Sequence, residues 1–356
     1  MKAGLCGPAG GNGMRRAVYA GVDWFRLPAA LLVIAIHTAP LSGISKGLDA
    51  AVTYGLGRIA VPFFLMTTGY FLLAPCFGEN PGSRERWRRF ERKILLIYAA
   101  STLLYLPVAW YAGNLPGNLT EAVRMLLFDG TFYHLWYFPA LLIGGRIALG
   151  LGRAGYRKAL TAAGILYLIG LFGDSYYGLT EGIPLLKKLY GYLFQISSYT
   201  RNGIFYTPLF LIMGAFLRNT AKKIRQMDLW DLIPGMVLLA AEAYLVFRLD
   251  LAKHDSMYFS LPFVMYVLYQ ALLSVKGTAP GWVRNGTLCV YVIHPLMIVL
   301  VRGAAKWTGT SALLVECAPV HWLAVSMASF AAAAVYGVLC ERSRWLWKRP
   351  AVHGKK

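Results

Sequence analysis

"VDWFRLPAALLVIAIHTAPL", residues 22–41, is apolar enough to cross a bilayer yet carries Asp23, Arg26 and His37. A charge at the centre of a membrane helix costs about 2.5–3.5 kcal/mol even on insertion scales, so polar residues that persist there point to a bundle interior or a cavity. Arg26 and His37 are eleven positions apart. At about 100° and 1.5 Å per residue, that spacing returns to within about 20° of the same helix face and separates the two by about 16 Å along the axis. One face therefore carries a cation near one membrane surface and an imidazole deep in, or toward the far side of, the bilayer. Arginine can hold phosphate bidentately, and histidine titrates near neutrality as a general base must. Asp23, three residues before Arg26, can orient it. In the plainer reading Arg26 snorkels to the interface and His37 hydrogen-bonds within the bundle. Spacing alone leaves both open.

The rest of the chain has the composition of a membrane protein. Of its 356 residues 57% are hydrophobic and only 15% charged, and its mean hydropathy is +0.51. That is too apolar for a soluble globule and too long for one span. The formal net charge of +20 does not imply nucleic-acid binding, because no recognition motif accompanies it. The Lys and Arg residues lie in short segments between apolar runs. The cysteines at 6, 76, 289, 317 and 340 are scattered, with no paired spacing, so neither a disulfide framework nor a metal site is expected.

Apolar stretches of spanning length predict an all-α, polytopic bundle of about ten transmembrane helices near 20–41, 51–74, 94–112, 132–150, 159–173, 203–217, 229–248, 258–275, 285–303 and 320–340. The shortest, 159–173 and 203–217, allow a re-entrant alternative. The basic segments "SRERWRRFERK" (83–93), "RAGYRK" (153–158), "RNTAKKIR" (218–225) and "ERSRWLWKRP" (341–350) read as loops or tails that all fall on the N-terminal side. Both termini are therefore expected in the cytoplasm. Loops 113–131 and 174–202, with Asp129, Asp174 and Glu181, go to the outer side. The expected organisation is a cytoplasmic tail over 1–18, a transmembrane domain over 19–341 and a basic tail over 342–356. A cleaved signal peptide at the start is the competing view, disfavoured by the further spans and by the charges on the first helix. "PFFLMTTGYFL" (62–72) loosely echoes "PLFLIMGAFL" (208–217).

"DWFRLPAALLVIAIH" (23–37) resembles the signature of the multi-pass membrane acyltransferase family 3: an aspartate, an arginine three residues on, then ten residues and a histidine. "RIAVPFFLMTTGYFL" (58–72) resembles the second-helix signature, with Thr68 where a serine is usual. "HLWYFPALLIG" (134–144) is similar to a segment of bacterial O-acetyltransferases of surface polysaccharides, and "GTLCVYVIHPLM" (286–297) to the late tyrosine-to-histidine motif. "GDSYYGL" (173–179) and "RNGIFYTPLF" (201–210) resemble the membrane half of the vancomycin-resistance serine racemases, which belongs to the same superfamily.

The resemblance implies an integral enzyme of the bacterial cytoplasmic membrane that moves an acyl group, by default acetyl, from cytoplasmic acyl-coenzyme A to a hydroxyl or amine. The default acceptor is a carbohydrate on the outer side. The implied catalytic base is His37, and no metal is expected. The candidate substrate-binding residues are Asp23, Arg26, Arg58, Thr68, His134, Trp136, Arg201, Glu242, Tyr291 and His294.

Several of these have structural alternatives. Arg58, within the second span, either binds substrate or pairs with Glu242, the acid well inside the seventh. His134 is an acceptor-binding residue or an interfacial histidine in an aromatic belt. His294 precedes Pro295, whose missing N–H frees a carbonyl for a neighbouring side chain. Arg146 and Arg302 read as snorkelling residues, and His254, His321 and His353 receive no role. A second function is open: a transport module supplying L-serine, in which Arg26, Arg58 and His37 line a path without chemistry.

Overall fold

The structure is a computed structural model that describes residues 19–78, 81–220 and 228–347. The expected tail over 1–18, most of the basic segment 218–225 and the last nine residues of the C-terminal tail lie outside them. Among the described residues every regular element is helical; an isolated bridge joins Tyr19 to Lys276.

Helix α1 runs Ala20–Thr38 and stops where Ala39 turns left-handed, immediately before Pro40. A long helical segment, Lys46–Phe77, contains α2 (Lys46–Asp49) and α3 (Ala60–Thr68). Wide turns at Ala50–Gly55 and Gly69–Leu73 interrupt it, of a kind that recurs at functional sites because it re-aims side chains. Then follow α4 (Pro81–Tyr111), α5 (Leu119–Arg124), α6 (Tyr137–Gly152), α7 (Tyr156–Phe172), α8 (Tyr177–Glu181), α9 (Pro184–Ile196) and α10 (Thr207–Thr220). The chain closes with α11 (Leu232–Arg248), α12 (Ser260–Ser274), α13 (Gly281–Thr308) and α14 (Ala318–Trp347).

All ten expected segments are helical, but they differ in reach. Among the described residues five helical segments are long and apolar enough to cross a membrane: Ala20–Thr38, Lys46–Phe77, Gly82–Tyr111, Gly286–Thr308 and Ala318–Leu339. Helices α6, α7, α10, α11 and α12 have 14 to 17 residues, about 21–26 Å at 1.5 Å per residue against a hydrocarbon core of about 30 Å. Outward-facing apolar side chains such as Leu96, Leu103 and Trp110 of α4 and Met327 and Val338 of α14 are exposed, as lipid-facing residues are.

Two expected loops are corrected. The basic segment 83–93 is the first three turns of α4; its arginines are strong helix formers and continue directly into an apolar run. The outer segment 174–202 holds α8 and α9, and α9 has one apolar and one polar side, as a helix lying at an interface does.

The core forms where α10 crosses the Lys46–Phe77 segment. A Cβ on Gly69 would lie 2.0 Å from the Leu211 carbonyl oxygen, and one on Gly214 would lie 2.1 Å from that of Met66. The two echoing sequences therefore touch backbone to backbone through their own glycines, the close approach that small residues permit between membrane helices.

Candidate functional site

Arg26 projects from the first turns of α1 into a ring of tyrosines. It pairs with Asp23 at 3.5 Å, and Arg284 of α13 approaches the other oxygen of the same carboxylate at 3.6 Å. Tyr137 and Tyr269 stand within electrostatic range of the guanidinium, and Tyr137 hydrogen-bonds to Thr68. Arg218 lies over the Tyr70 ring and donates to the Tyr70 carbonyl at 3.2 Å. Two arginines thus share one buried carboxylate, and a third, Arg218, packs on a phenol of the same mouth, which leaves net positive charge. Arg26 is anchored in the bundle, so the plain snorkelling reading does not describe it.

At the other end of α1, one residue before its last, His37 stacks on His294, with ring centroids 5.2 Å apart, and packs at a tilt against Tyr133 at 4.7 Å. His37 makes no hydrogen bond to any described residue. It keeps accessible surface while surrounded by the bundle.

The neighbouring histidines are fixed by a proline kink in α13. Pro295 has no N–H, so the Tyr291 carbonyl loses its helical donor. His294 Nδ1 supplies one at 2.8 Å. The Tyr105 hydroxyl donates to the Val292 carbonyl at 2.6 Å and accepts from the Leu296 N–H at 3.2 Å. His134 Nε2 bonds the same Val292 carbonyl at 3.2 Å, and Tyr291 donates its hydroxyl to the His134 carbonyl. A carbonyl only accepts, so His294 carries its proton on Nδ1 and His134 carries its proton on Nε2. The remaining nitrogens, His294 Nε2 and His134 Nδ1, are buried and unpartnered. His134 is fully buried, not an interfacial belt residue. It precedes α6 in a turn opened by Gly130, whose φ of +84° and whose added Cβ would lie 2.3 Å from the Trp136 nitrogen, so that only glycine is admitted.

A continuous line of rings joins the two ends of α1. Tyr137, beside Arg26, meets Tyr291 at 5.6 Å; Tyr291 meets His134 at 5.6 Å; His134 meets His294 at 5.2 Å. Packed rings of other helices thus link the two ends of the face read from the eleven-residue spacing.

Arg58 and Arg201 stand within electrostatic range of His37. The expected pair of Arg58 with Glu242 does not form. Arg58 Nη2 binds Asp255 at 2.6 Å. Glu242 is used locally instead: it accepts from the Phe259 and Ser260 N–H groups at 2.6 and 2.9 Å and from Tyr176 at 2.5 Å, capping the N-terminus of α12 where orphan N–H groups need acceptors. Arg201 has no carboxylate partner among the described residues; it lies between the Trp136 and Tyr199 rings, 5.2 and 4.6 Å from their centroids, and reaches Ser256 Oγ at 3.3 Å. Arg146 pairs with Glu91 through both nitrogens of its fork, so it does not snorkel free.

Asp174 and His254 shape the segment that carries Asp255 and Ser256. Asp174 Oδ1 accepts from the Ser256 and Met257 N–H groups at 2.6 and 3.0 Å, and burial pushes its carboxyl up to about 7. His254 packs on Tyr199 at 4.3 Å and bonds the Ser198 carbonyl at 3.2 Å. Burial, then the charge of Arg201, brings its pKa down to about 4, so it is neutral at physiological pH. His321, also left without a role, is buried and hydrogen-bonds the Leu314 carbonyl at 2.8 Å.

Sequence reasoning missed Tyr133, Tyr137, Asp174, Asp255 and Arg284. Side-of-membrane bookkeeping holds the signal for Asp255: the connection 249–257 and the start of the second span, with Arg58, fall on the same side. The tyrosines gave none, since aromatic residues crowd every span end.

The profile of a family described as an acyltransferase domain matches residues 19–339. Over 301 residues the chain is 41% identical to an amino-acid racemase of Enterococcus faecalis, taking in 81% of this chain and 42% of that protein. It is 38% identical over 286 residues to a serine/alanine racemase of Enterococcus gallinarum, taking in 78% of this chain and 40% of that one. The chain therefore spans less than half the length of these relatives. No solved structure matches it significantly.

Proposed function

Because the chain belongs to the acyltransferase family matched over residues 19–339, we propose that it transfers an acyl group from acyl-coenzyme A to a hydroxyl or amine acceptor, with His37 as the base. It is a multi-pass membrane protein of acyltransferase kind. In the proposed orientation it lies in the bacterial cytoplasmic membrane with both termini inside, and Arg26 faces the cytoplasm.

The donor phosphates bind at the mouth formed by Arg26 and Arg284, with Asp23 holding both guanidiniums. The pantetheine arm follows the Tyr137–Tyr291 wall and brings the thioester to His37. His37 takes the proton as the acceptor oxygen or nitrogen attacks the thioester carbonyl. The carbon–sulfur bond then breaks and the thiolate of coenzyme A leaves. Arg58 and Arg201 supply the positive field in which the oxyanion of the tetrahedral intermediate is stabilised. The acceptor enters from the outer side past Tyr133, which is partly exposed, and a sugar hydroxyl is the default class.

The observation that supports this reading is the His37 ring itself: it lies at the far end of the line of rings that begins beside Arg26, stacks on His294 and makes no hydrogen bond to any described residue. The test is transfer of labelled acetyl from acetyl-coenzyme A by the purified protein and by His37→Ala. Equal transfer by both sinks the base assignment.

A second reading, a transport module for L-serine, is favoured by the racemase names of the relatives. Arg201, without a carboxylate partner among the described residues, and the half-exposed Asp255 carboxylate held by Arg58 also fit the two charges of a zwitterion. Serine uptake into proteoliposomes with no acyl-coenzyme A present supports this reading over the first.

A further inference from the structure

A second feature lies between α4 and α6 and uses none of the residues of the histidine chamber. Phe77, Arg84, Trp87, Arg88, Arg146 and Arg153 border a cavity of about 480 Å³. It adjoins a groove of about 630 Å³ that shares Arg88, Glu91 and Arg146 and is otherwise walled by Arg92, Leu95, Leu142, Ile143 and Ile147.

The polarity of this groove is written into both helices. On α4, Arg84, Arg88 and Leu95 recur at helical spacing on one stripe. On α6, which runs the opposite way along the groove, Leu142 and Ile143 precede Arg146 and Arg153. Both walls are basic at the same end and apolar at the other. Leu95 is 55% exposed, so the apolar end opens to hydrocarbon.

Charge at the basic end is in excess. Glu91 is engaged by Arg146, and Arg84, Arg88 and Arg153 have no carboxylate partner among the described residues. Trp87 is 3% exposed and packs over Gly145, yet its indole N–H, in the wall of the cavity, has no acceptor among the described residues. A buried donor without a partner costs about 1–3 kcal/mol, which a ligand oxygen can offset.

We propose that this groove is a binding site for an anionic phospholipid of the leaflet on the basic side. Its phosphate and acidic headgroup lie among Arg84, Arg88 and Arg153, the Trp87 N–H donates to an ester or phosphate oxygen, and one acyl chain runs along Leu95, Ile143 and Ile147. Basic pockets between membrane helices recognise acidic headgroups in this way. A soluble phosphate or the phosphates of coenzyme A satisfy the arginines but leave the apolar groove unfilled, which is why the lipid is the better occupant.

The test is native mass spectrometry of the full chain, exchanged from detergent against chain-matched phosphatidylglycerol and phosphatidylcholine. The expected result is preferential retention of phosphatidylglycerol, reduced about tenfold in Arg88→Gln/Arg153→Gln, as for loss of about 1.4 kcal/mol. Arg89→Gln, on the same helix but outside the groove lining, keeps the preference. All these arginines are exposed, so folding is preserved, and Trp87→Phe gives a smaller loss without changing charge. Coenzyme A added to the wild type leaves the bound phosphatidylglycerol in place. Three results overturn the proposal: no preference for phosphatidylglycerol, an equal loss in Arg89→Gln, or displacement of the lipid by coenzyme A.

Discussion

The two ends of α1 solve opposite problems. At the Arg26 end charges are fixed with cation in excess: one buried carboxylate, Asp23, faces two guanidiniums, and tyrosines complete the ring. At the His37 end the groups are neutral acceptors with bare lone pairs, His294 Nε2 and His134 Nδ1, under the field of two arginines. The difference separates binding from chemistry. A fixed set of donors suits an anion that must be held, whereas an unengaged imidazole suits a proton that must move.

The comparison breaks first at His37. His37→Gln is expected to lower kcat for acyl transfer by about 10²–10⁴-fold, the usual worth of a positioned base, with the melting profile unchanged. A variant with near-wild-type kcat erases the distinction between the ends. Next is the ion pair beside the chamber. Asp255→Asn leaves Arg58 without its carboxylate and is expected to destabilise the protein by about 1.5–3 kcal/mol, read as a lower Tm in detergent. The effect falls short of a fully buried pair because Asp255 is 41% exposed. At the opposite end, Arg26→Gln is expected to raise KM for the acyl donor about tenfold with kcat nearly kept, since it removes an interaction made equally in the ground and transition states. A pure kcat effect assigns Arg26 to the chemistry instead.

Much of this was legible in the sequence, for identifiable reasons. The placement of Arg26 and His37 on one helix face follows from helical periodicity, which needs only local geometry. The fate of the Tyr291 carbonyl follows from Pro295, whose missing N–H is a covalent fact. Partner choice was not legible. Glu242 and Asp255 are both acids on the same side of the bundle, and only the packing of α11 on α12 decides that Glu242 caps a helix while Asp255 takes Arg58. The reach of the shorter helices was also hidden, because hydropathy marks apolar runs without showing where a helix stops. At Tyr137 it starts five residues later than the apolar pattern does.

The kink sharpens the account further. Tyr105→Phe removes the hydroxyl that serves both the Val292 carbonyl and the Leu296 N–H. It is expected to cost about 1–3 kcal/mol and to lower acyl transfer by loosening His134. The smallest effect concerns Asp174. Its folded pKa, about 7, lies above the unfolded value, so its contribution to stability is fully present below the unfolded pKa and is lost as pH rises through the folded one. The Asp174 contribution to Tm is therefore expected to fall between about pH 4 and about pH 7.5, against an opposite contribution from His254, so it is read as the wild-type Tm minus that of Asp174→Asn. A difference that rises with pH over this window contradicts the assignment.

The most direct measurement of the central claim is single-turnover acetyl transfer in proteoliposomes, with labelled acetyl-coenzyme A on the Arg26 side and a soluble oligosaccharide acceptor on the other. Loss of transfer in His37→Gln, with donor binding still intact by filter assay, is the result predicted by a base at the outer end of α1. Transfer at the wild-type rate by that variant, or serine uptake by the wild type with no acyl donor consumed, contradicts it.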